Sequence, residues 1–415
     1  MIATESVSGE GGRALALTRA SLLLAGIGSF LSPPVTNLGA VLAVLAFAAV
    51  PDARRRLRAV LAQPAARGVL GFLAVLSVST LWADAPIDDR FGAVWNWRAL
   101  LLMLLAWAAF AGETRWRGIF GRVFIGVLAL CTVLSFVHWF DPALLEREEP
   151  GVLLRNHVTQ GMAMVAGCVL VFLEARGGSL RSLRGAVLAG TGLLFLANIA
   201  LVCQGRSGHL AVLAVVVTGT LYFAPRRGRY LLAVGLALAA AALLAASPMV
   251  RERFARALTE FQTVQSSPSE TSTGLRVTIW RTSSELIAER PLLGWGAGGF
   301  AGAYAARIHR EASGWQAAEA HDTHNEYLKV QVEAGVPGTL AFLAMIVLLW
   351  RHRAPSPFRE GGLCLLAAWL VSSAFNSHFE TFGEAHLLGL LLGVLLAPGA
   401  QGARSAPATA AATAS

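Results

Sequence analysis

The chain predicts an all-α protein that crosses a membrane many times, and three observations predict it. Of its 415 residues, 55% are hydrophobic and 14% charged, with a mean hydropathy of +0.58, too apolar for a soluble domain of this length. Apolar runs recur from residue 14 almost to the end, each near the length that crosses a hydrocarbon core of about 30 Å, allowing for short or tilted spans. Arginines cluster in the short connections between alternate runs, the positive-inside pattern. These arginines supply the formal charge of +9, so the charge reports topology and not a nucleic-acid partner.

In chain order, residues 1–13 form a small, Gly-rich cytoplasmic segment. Nine spans are expected within 14–246, at 14–31, 35–50, 69–82, 98–111, 119–139, 158–174, 185–203, 207–224 and 230–246. Three more lie within 337–397, at 337–350, 361–377 and 385–396, for a total of about twelve. Many runs follow the first, so it reads as a retained span and not a cleaved signal peptide. One set of connections carries Arg54, Arg55, Arg56, Arg58 and Arg67, then Arg115 and Arg117, then Arg176, Arg181 and Arg184, then Arg226, Arg227 and Arg229, then Arg351, Arg353 and Arg359. The other set carries Asp84, Asp88, Asp89, Glu146, Glu148 and Glu149. Both termini are then cytoplasmic, and 247–336 faces outward, which is the periplasm if the membrane is a Gram-negative inner membrane. The tail 398–415 is rich in Ala, Pro, Ser and Thr and is expected to be unstructured. The four cysteines sit in or beside apolar runs without CxxC spacing, which argues against disulfides or a cysteine metal site.

The outward segment, about ninety residues long, exceeds a passive connector. Phe254, Leu258, Phe261 and Val264 recur at helical spacing within 251–265, a helix that either lies on the membrane surface or packs on the bundle. A second helix is expected over 274–290, ended by Pro291, with Arg276 and Trp280 one turn apart. The Gly-rich stretch 294–300 lacks both the Gly-Lys-Ser/Thr ending of a phosphate loop and the strand-helix setting of a dinucleotide fold. It reads as a close-packed turn.

The stretch 321–338 gathers His321, His324, several carboxylates and the chain's single lysine, Lys329. Thr323 with Glu326 reads as a capping box and Gly335 as a stop, predicting a helix over about 324–334. His324 would then sit in the first turn, where unpaired N–H groups and the helix dipole attract anions. His321 and His324 form HxxH without the HExxH zinc motif, and a metal would need a third ligand such as Asp322. His324 alone reads as a hydrogen-bonded interfacial histidine or as a catalytic base.

Arginines on the outward side break the charge bias. Arg206 lies in a tight turn, 204–208, at membrane depth, where it is either an anion ligand or a guanidinium paired to carbonyls. Arg155 and His157 precede another span and read equally as snorkelling residues. Arg276 and Arg281 are either exposed helix residues or ligands. Several arginines and a histidine facing a membrane suit a lipid bearing phosphate, because guanidinium forks bind phosphate in a bidentate way.

His324-Asn325, nine residues, Gly335, two residues, Gly338 resembles the signature of the bacterial O-antigen ligase family. The stretch 291–296 and the turn at Arg206 resemble the same superfamily, which includes O-antigen polymerases and protein O-oligosaccharyltransferases. The motifs cover 204–338. This resemblance implies an inverting, metal-independent glycosyltransferase without cofactors. It would move a glycan from undecaprenyl diphosphate to the lipid A-core oligosaccharide at the periplasmic face. It implies His324 as general base, Arg206, Arg276, Arg155 and Arg281 on the diphosphate, and His321, Asn325, Gly335 and Gly338 in support. The alternatives are a polymerase, a protein oligosaccharyltransferase and, from another class, a solute transporter. Sparse charge near mid-bilayer argues against the transporter.

Overall fold

A hydrocarbon solvent offers no partner to a backbone amide, so an apolar chain closes its hydrogen bonds within each segment. The computed structural model describes residues 9–147, 149–179, 181–203, 205–246 and 272–399, and among these there are helices and no strand. The helix expected at 251–265, residues 1–8 of the N-terminal segment and residues 400–415 of the tail lie outside the described residues.

The first helices are α1 (Gly9–Leu31), α2 (Pro33–Ala48), α3 (Ala53–Leu61), α4 (Pro64–Ser79), α5 (Ile87–Trp95), α6 (Ala99–Phe110), α7 (Arg115–Phe140) and α8 (His157–Ala175). Then follow α9 (Leu183–Leu201), α10 (Arg206–Phe223), α11 (Arg229–Ala246), α12 (Ser272–Glu289), α13 (Phe300–Glu311), α14 (Glu326–Arg351), α15 (Phe358–Ser372) and α16 (Phe382–Leu395). Each of the twelve apolar runs falls on a helix, but seven of the described helical segments are long and apolar enough to cross a membrane, or eight counting one bent pair. The count of about twelve is therefore not reached on length and hydropathy. Part of the shortfall lies in short helices such as α16, whose 14 residues extend about 21 Å. Burial among other helices explains its composition, since nearly every residue of α16 is enclosed by protein.

Two connections also differ from expectation. The arginine loop after α2 is helical: α3 turns 111° from α2, and Asp52 accepts from Arg55 at 2.8 Å and Arg56 at 2.9 Å. The stretch with Asp88 and Asp89 is α5, which runs into α6 as one apolar unit, Ile87–Phe110.

Small residues set the closest helix approaches, as expected where packing and not hydrophobic expulsion joins helices. A Cβ at Gly39 would meet Ala25 N at 2.5 Å, and one at Gly389 would meet Ala99 O at 2.5 Å, so α2 rests on α1 and α16 on α6. Buried aromatics fill one end of the bundle. Trp97 packs edge-on to Phe72 at 4.7 Å between centroids, Phe342 lies 5.4 Å from Phe72, and Phe379 lies 5.5 Å from Phe342. This cluster anchors the loop between α15 and α16 through Phe379. Beside it, α12 and α13 build a smaller core from Ile279, Leu286, Phe300, Tyr304 and Ile308, closed by Val332 of α14.

Candidate active site

The first turn of α14 starts two residues later than the sequence pattern suggests, because Asn325 caps it. Its Oδ1 accepts from Tyr327 N at 3.0 Å and Leu328 N at 3.1 Å, satisfying two of the orphan amides at a helix start. The expected capping box does not form. Thr323 Oγ1 turns back on the loop, donating to Asn325 O at 2.7 Å, and Glu326 is fully buried with Oε2 accepting from Phe379 N at 2.8 Å. His324 thus precedes the helix with φ of 51°, a left-handed conformation unusual for a side-chain-bearing residue and concentrated at functional sites.

That conformation turns the His324 ring toward the loop between α15 and α16. Its Nδ1 lies 3.4 Å from Asn376 Oδ1 and 3.6 Å from Asp322 Oδ2, and the side chain remains 37% exposed. With Nδ1 facing two oxygens, Nε2 is the nitrogen left for chemistry. Asp322 is itself fixed, its Oδ1 accepting from Ser377 Oγ at 2.6 Å. On the other side, Trp280 Nε1 donates to Thr323 O at 2.9 Å, so α12 also holds the histidine loop.

Beneath the loop lies a buried charged layer. Lys329 Nζ sits 3.0 Å from Glu380 Oε1 and 3.3 Å from His321 O, and both side chains of the pair are nearly enclosed. The His321 side chain is exposed, and its contribution here is that carbonyl. His378 is fully buried with neither ring nitrogen hydrogen-bonded. Burial pushes its pKa down to about 4, with Asp322 offsetting part of the shift, so the ring is neutral near pH 7.

The Gly-rich turn docks on α14 as a close-packed element, as expected. Trp295 N donates to Val332 O and Gly296 N to Glu333 O, both at 2.8 Å, and Gly298 N donates to Glu333 Oε1 at 3.2 Å. Gly335 interrupts α14 with φ 60° and ψ −156°, and a Cβ there would stand 2.2 Å from Leu292 O. The stop signal at Gly335 is therefore a break that admits the turn, after which the helix resumes through Pro337. Gly338 faces Ala334 across that break, where a Cβ would meet Ala334 Cβ at 2.2 Å.

The arginines divide into groups. Arg276, half-buried, lies one turn before Trp280 on the helix that pins the histidine loop. Arg281 is exposed and paired to Glu285 at 3.1 Å, an i,i+4 contact of its own helix. Arg155 has φ of 50°, and its guanidinium lies 5.3 Å from the centre of the Phe382 ring. Arg206 opens α10 directly after Gly205, and a Cβ at Gly205 would come within 2.9 Å of His157 Cδ2. The turns bearing Arg155 and Arg206 therefore touch. His157 itself pairs with Glu149, Nδ1 to Oε2 at 3.1 Å. The 376–383 segment joins the two parts of the site, since it carries Asn376 against His324 and Phe382 against Arg155.

Several contributors escaped the sequence reading: Asn376, Ser377, His378 and Glu380 from one loop, and Arg98, whose guanidinium also lies 5.1 Å from the Phe382 ring. A signal existed for the loop, four polar residues within five positions at the end of an apolar run. Among the described residues no three His, Cys, Asp or Glu side chains converge as metal ligands.

In comparison with known families, residues 191–343 fit the family model described as O-antigen ligase. The matched stretch runs from α9 into the resumed half of α14 and includes Arg206, Arg276, Arg281 and His324. No curated protein matches the chain.

Proposed function

The chain belongs to the O-antigen ligase superfamily, and on that premise we propose that it transfers an O-antigen glycan from undecaprenyl diphosphate to the lipid A-core oligosaccharide at the periplasmic face of the inner membrane. The observation that carries this reading is His324, held outside its helix with Nδ1 against Asn376 and Asp322. A histidine oriented through one nitrogen offers the other as a general base.

In the reaction, Nε2 of His324 takes the proton of the acceptor hydroxyl as its oxygen bonds to the anomeric carbon of the donor sugar. The bond from that carbon to the phosphate oxygen breaks, and its electron pair leaves with the diphosphate on the opposite face, giving inversion. Arg206, Arg276 and Arg155 stabilise the charge gathering on the diphosphate. Arg281 is already engaged by Glu285. Asn325, Gly335 and Gly338 set the start and the break of the helix that aims the base, and the His321 carbonyl holds the Lys329 ammonium under it.

Reconstituted membranes supplied with carrier-linked glycan and lipid A-core test this through the identity of the product. Glycan on lipid A-core, absent with His324→Ala, is the expected result. Longer glycan still on the carrier would instead make the protein a polymerase using the same base. Arg206→Lys keeps charge but loses the guanidinium fork, and undiminished transfer by that variant would remove Arg206 from diphosphate binding.

A further inference from the structure

At the end of the bundle opposite His324, the start of α7, the end of α8, the starts of α9 and α15 and the end of α16 line a cavity of about 260 Å³. The length of α14, kinked at Gly335, separates the two sites. The cavity shares no residue with the site described above.

Arg117 lines this cavity and is 2% exposed. Its Nη2 donates to Ala397 O at 2.7 Å and Phe110 O at 3.4 Å, but Nε and Nη1 have no hydrogen-bond partner. The Phe358 ring, 5.3 Å from Cζ, offers only its face. Glu113, whose charge also acts on Arg117, is paired to Arg19 at 3.1 Å. The one carboxylate in the wall, Glu174, is shared between Arg184 at 2.9 Å and Arg122 at 3.6 Å. An enclosed guanidinium with two idle donors and no carboxylate of its own is costly, and native proteins leave few buried polar groups in that state. The rest of the wall is chiefly apolar, including Phe120, Leu170, Leu173, Leu391, Val394 and Leu395.

We infer that this cavity binds the phosphate of an anionic phospholipid headgroup, with Arg117 donating to the phosphate, Arg184 at its rim and an acyl chain against the leucine wall. A phosphate oxyanion suits guanidinium donors in a site of positive balance. The apolar wall selects a lipid over the free anion. Arg115, Arg181, Arg351 and Arg353 are exposed and lie within six positions of lining residues, the polybasic setting that draws anionic lipids.

The full-length protein in nanodiscs made from equal phosphatidylglycerol and phosphatidylcholine tests this, with retained lipid read by native mass spectrometry. The wild type is expected to retain phosphatidylglycerol preferentially, and Arg117→Gln to lower that preference about tenfold, the equivalent of 1.4 kcal/mol. Gly121→Leu provides a second route that leaves the arginine in place. A Cβ at Gly121 meets only Glu174 Oε1, at 3.9 Å, so the leucine grows into the cavity, and the same loss is expected. Millimolar inorganic phosphate should not displace the lipid. Equal retention of both lipids by the wild type, or wild-type preference in Gly121→Leu, overturns the proposal. Displacement by inorganic phosphate overturns the lipid in favour of a free anion.

Discussion

The two halves of α14, either side of Gly335, are held by different forces. Residues 326–334 bury Glu326, Lys329 and Glu333 among other polar groups, whereas the half after the break buries Phe342, Met345 and Leu349 against apolar neighbours. Apolar packing sets how close helices lie but tolerates small shifts. A buried ion pair with its hydrogen bonds fixes direction as well as distance. The charged half carries the loop that aims His324, and the apolar half anchors it in the bundle.

The comparison can be broken by substitution. Lys329→Met leaves Glu380 buried without its cation and should cost about 3–5 kcal/mol. Met345→Ala removes packing alone and should cost about 2 kcal/mol, at the low end because lipid also solvates apolar groups. Thermal unfolding in detergent measures both, and equal costs would erase the distinction between the halves.

A second test uses pH. The folded-state pKa of His378 is about 4 against an ordinary 6.5. Below pH 6.5 an unfolded chain therefore binds a proton that the folded chain refuses. Stability should fall as pH drops from about 6.5 to 4, by roughly 3 kcal/mol in all. His378→Leu should flatten that window, and an unchanged profile would show that the ring is not the group responsible.

Smaller effects sharpen the picture at the edges. Asn325→Ala loses the cap of α14 and should destabilise by about 1 kcal/mol, with a further loss of transfer because the cap adjoins His324. Arg281→Ala removes an exposed helix pair worth less than about 0.5 kcal/mol, and transfer should stay near wild type. A large loss of transfer there would return Arg281 to the diphosphate site.

Local chemistry was legible in the sequence, and long-range pairing was not. Gly335 and the 294–300 turn declared themselves because a glycine needed for a break or a close approach marks its own position. Asn325 could have been recognised as the cap, since asparagine ranks above threonine there. The contacts of His324 with Asn376, and of Lys329 with Glu380, join positions about fifty residues apart, and no periodicity encodes such a pair. Span counting is limited differently. A helix sheathed by other helices, such as α16, is as apolar as one in lipid, so hydropathy alone does not separate them.

The most direct measurement is single-turnover transfer with donor binding followed separately, for the wild type, His324→Ala and Asp322→Ala. His324→Ala is expected to lower the chemical step by about 10²–10⁴ while donor binding holds. Asp322→Ala should give a smaller loss in the same step. Transfer by His324→Ala at the wild-type rate would contradict the account.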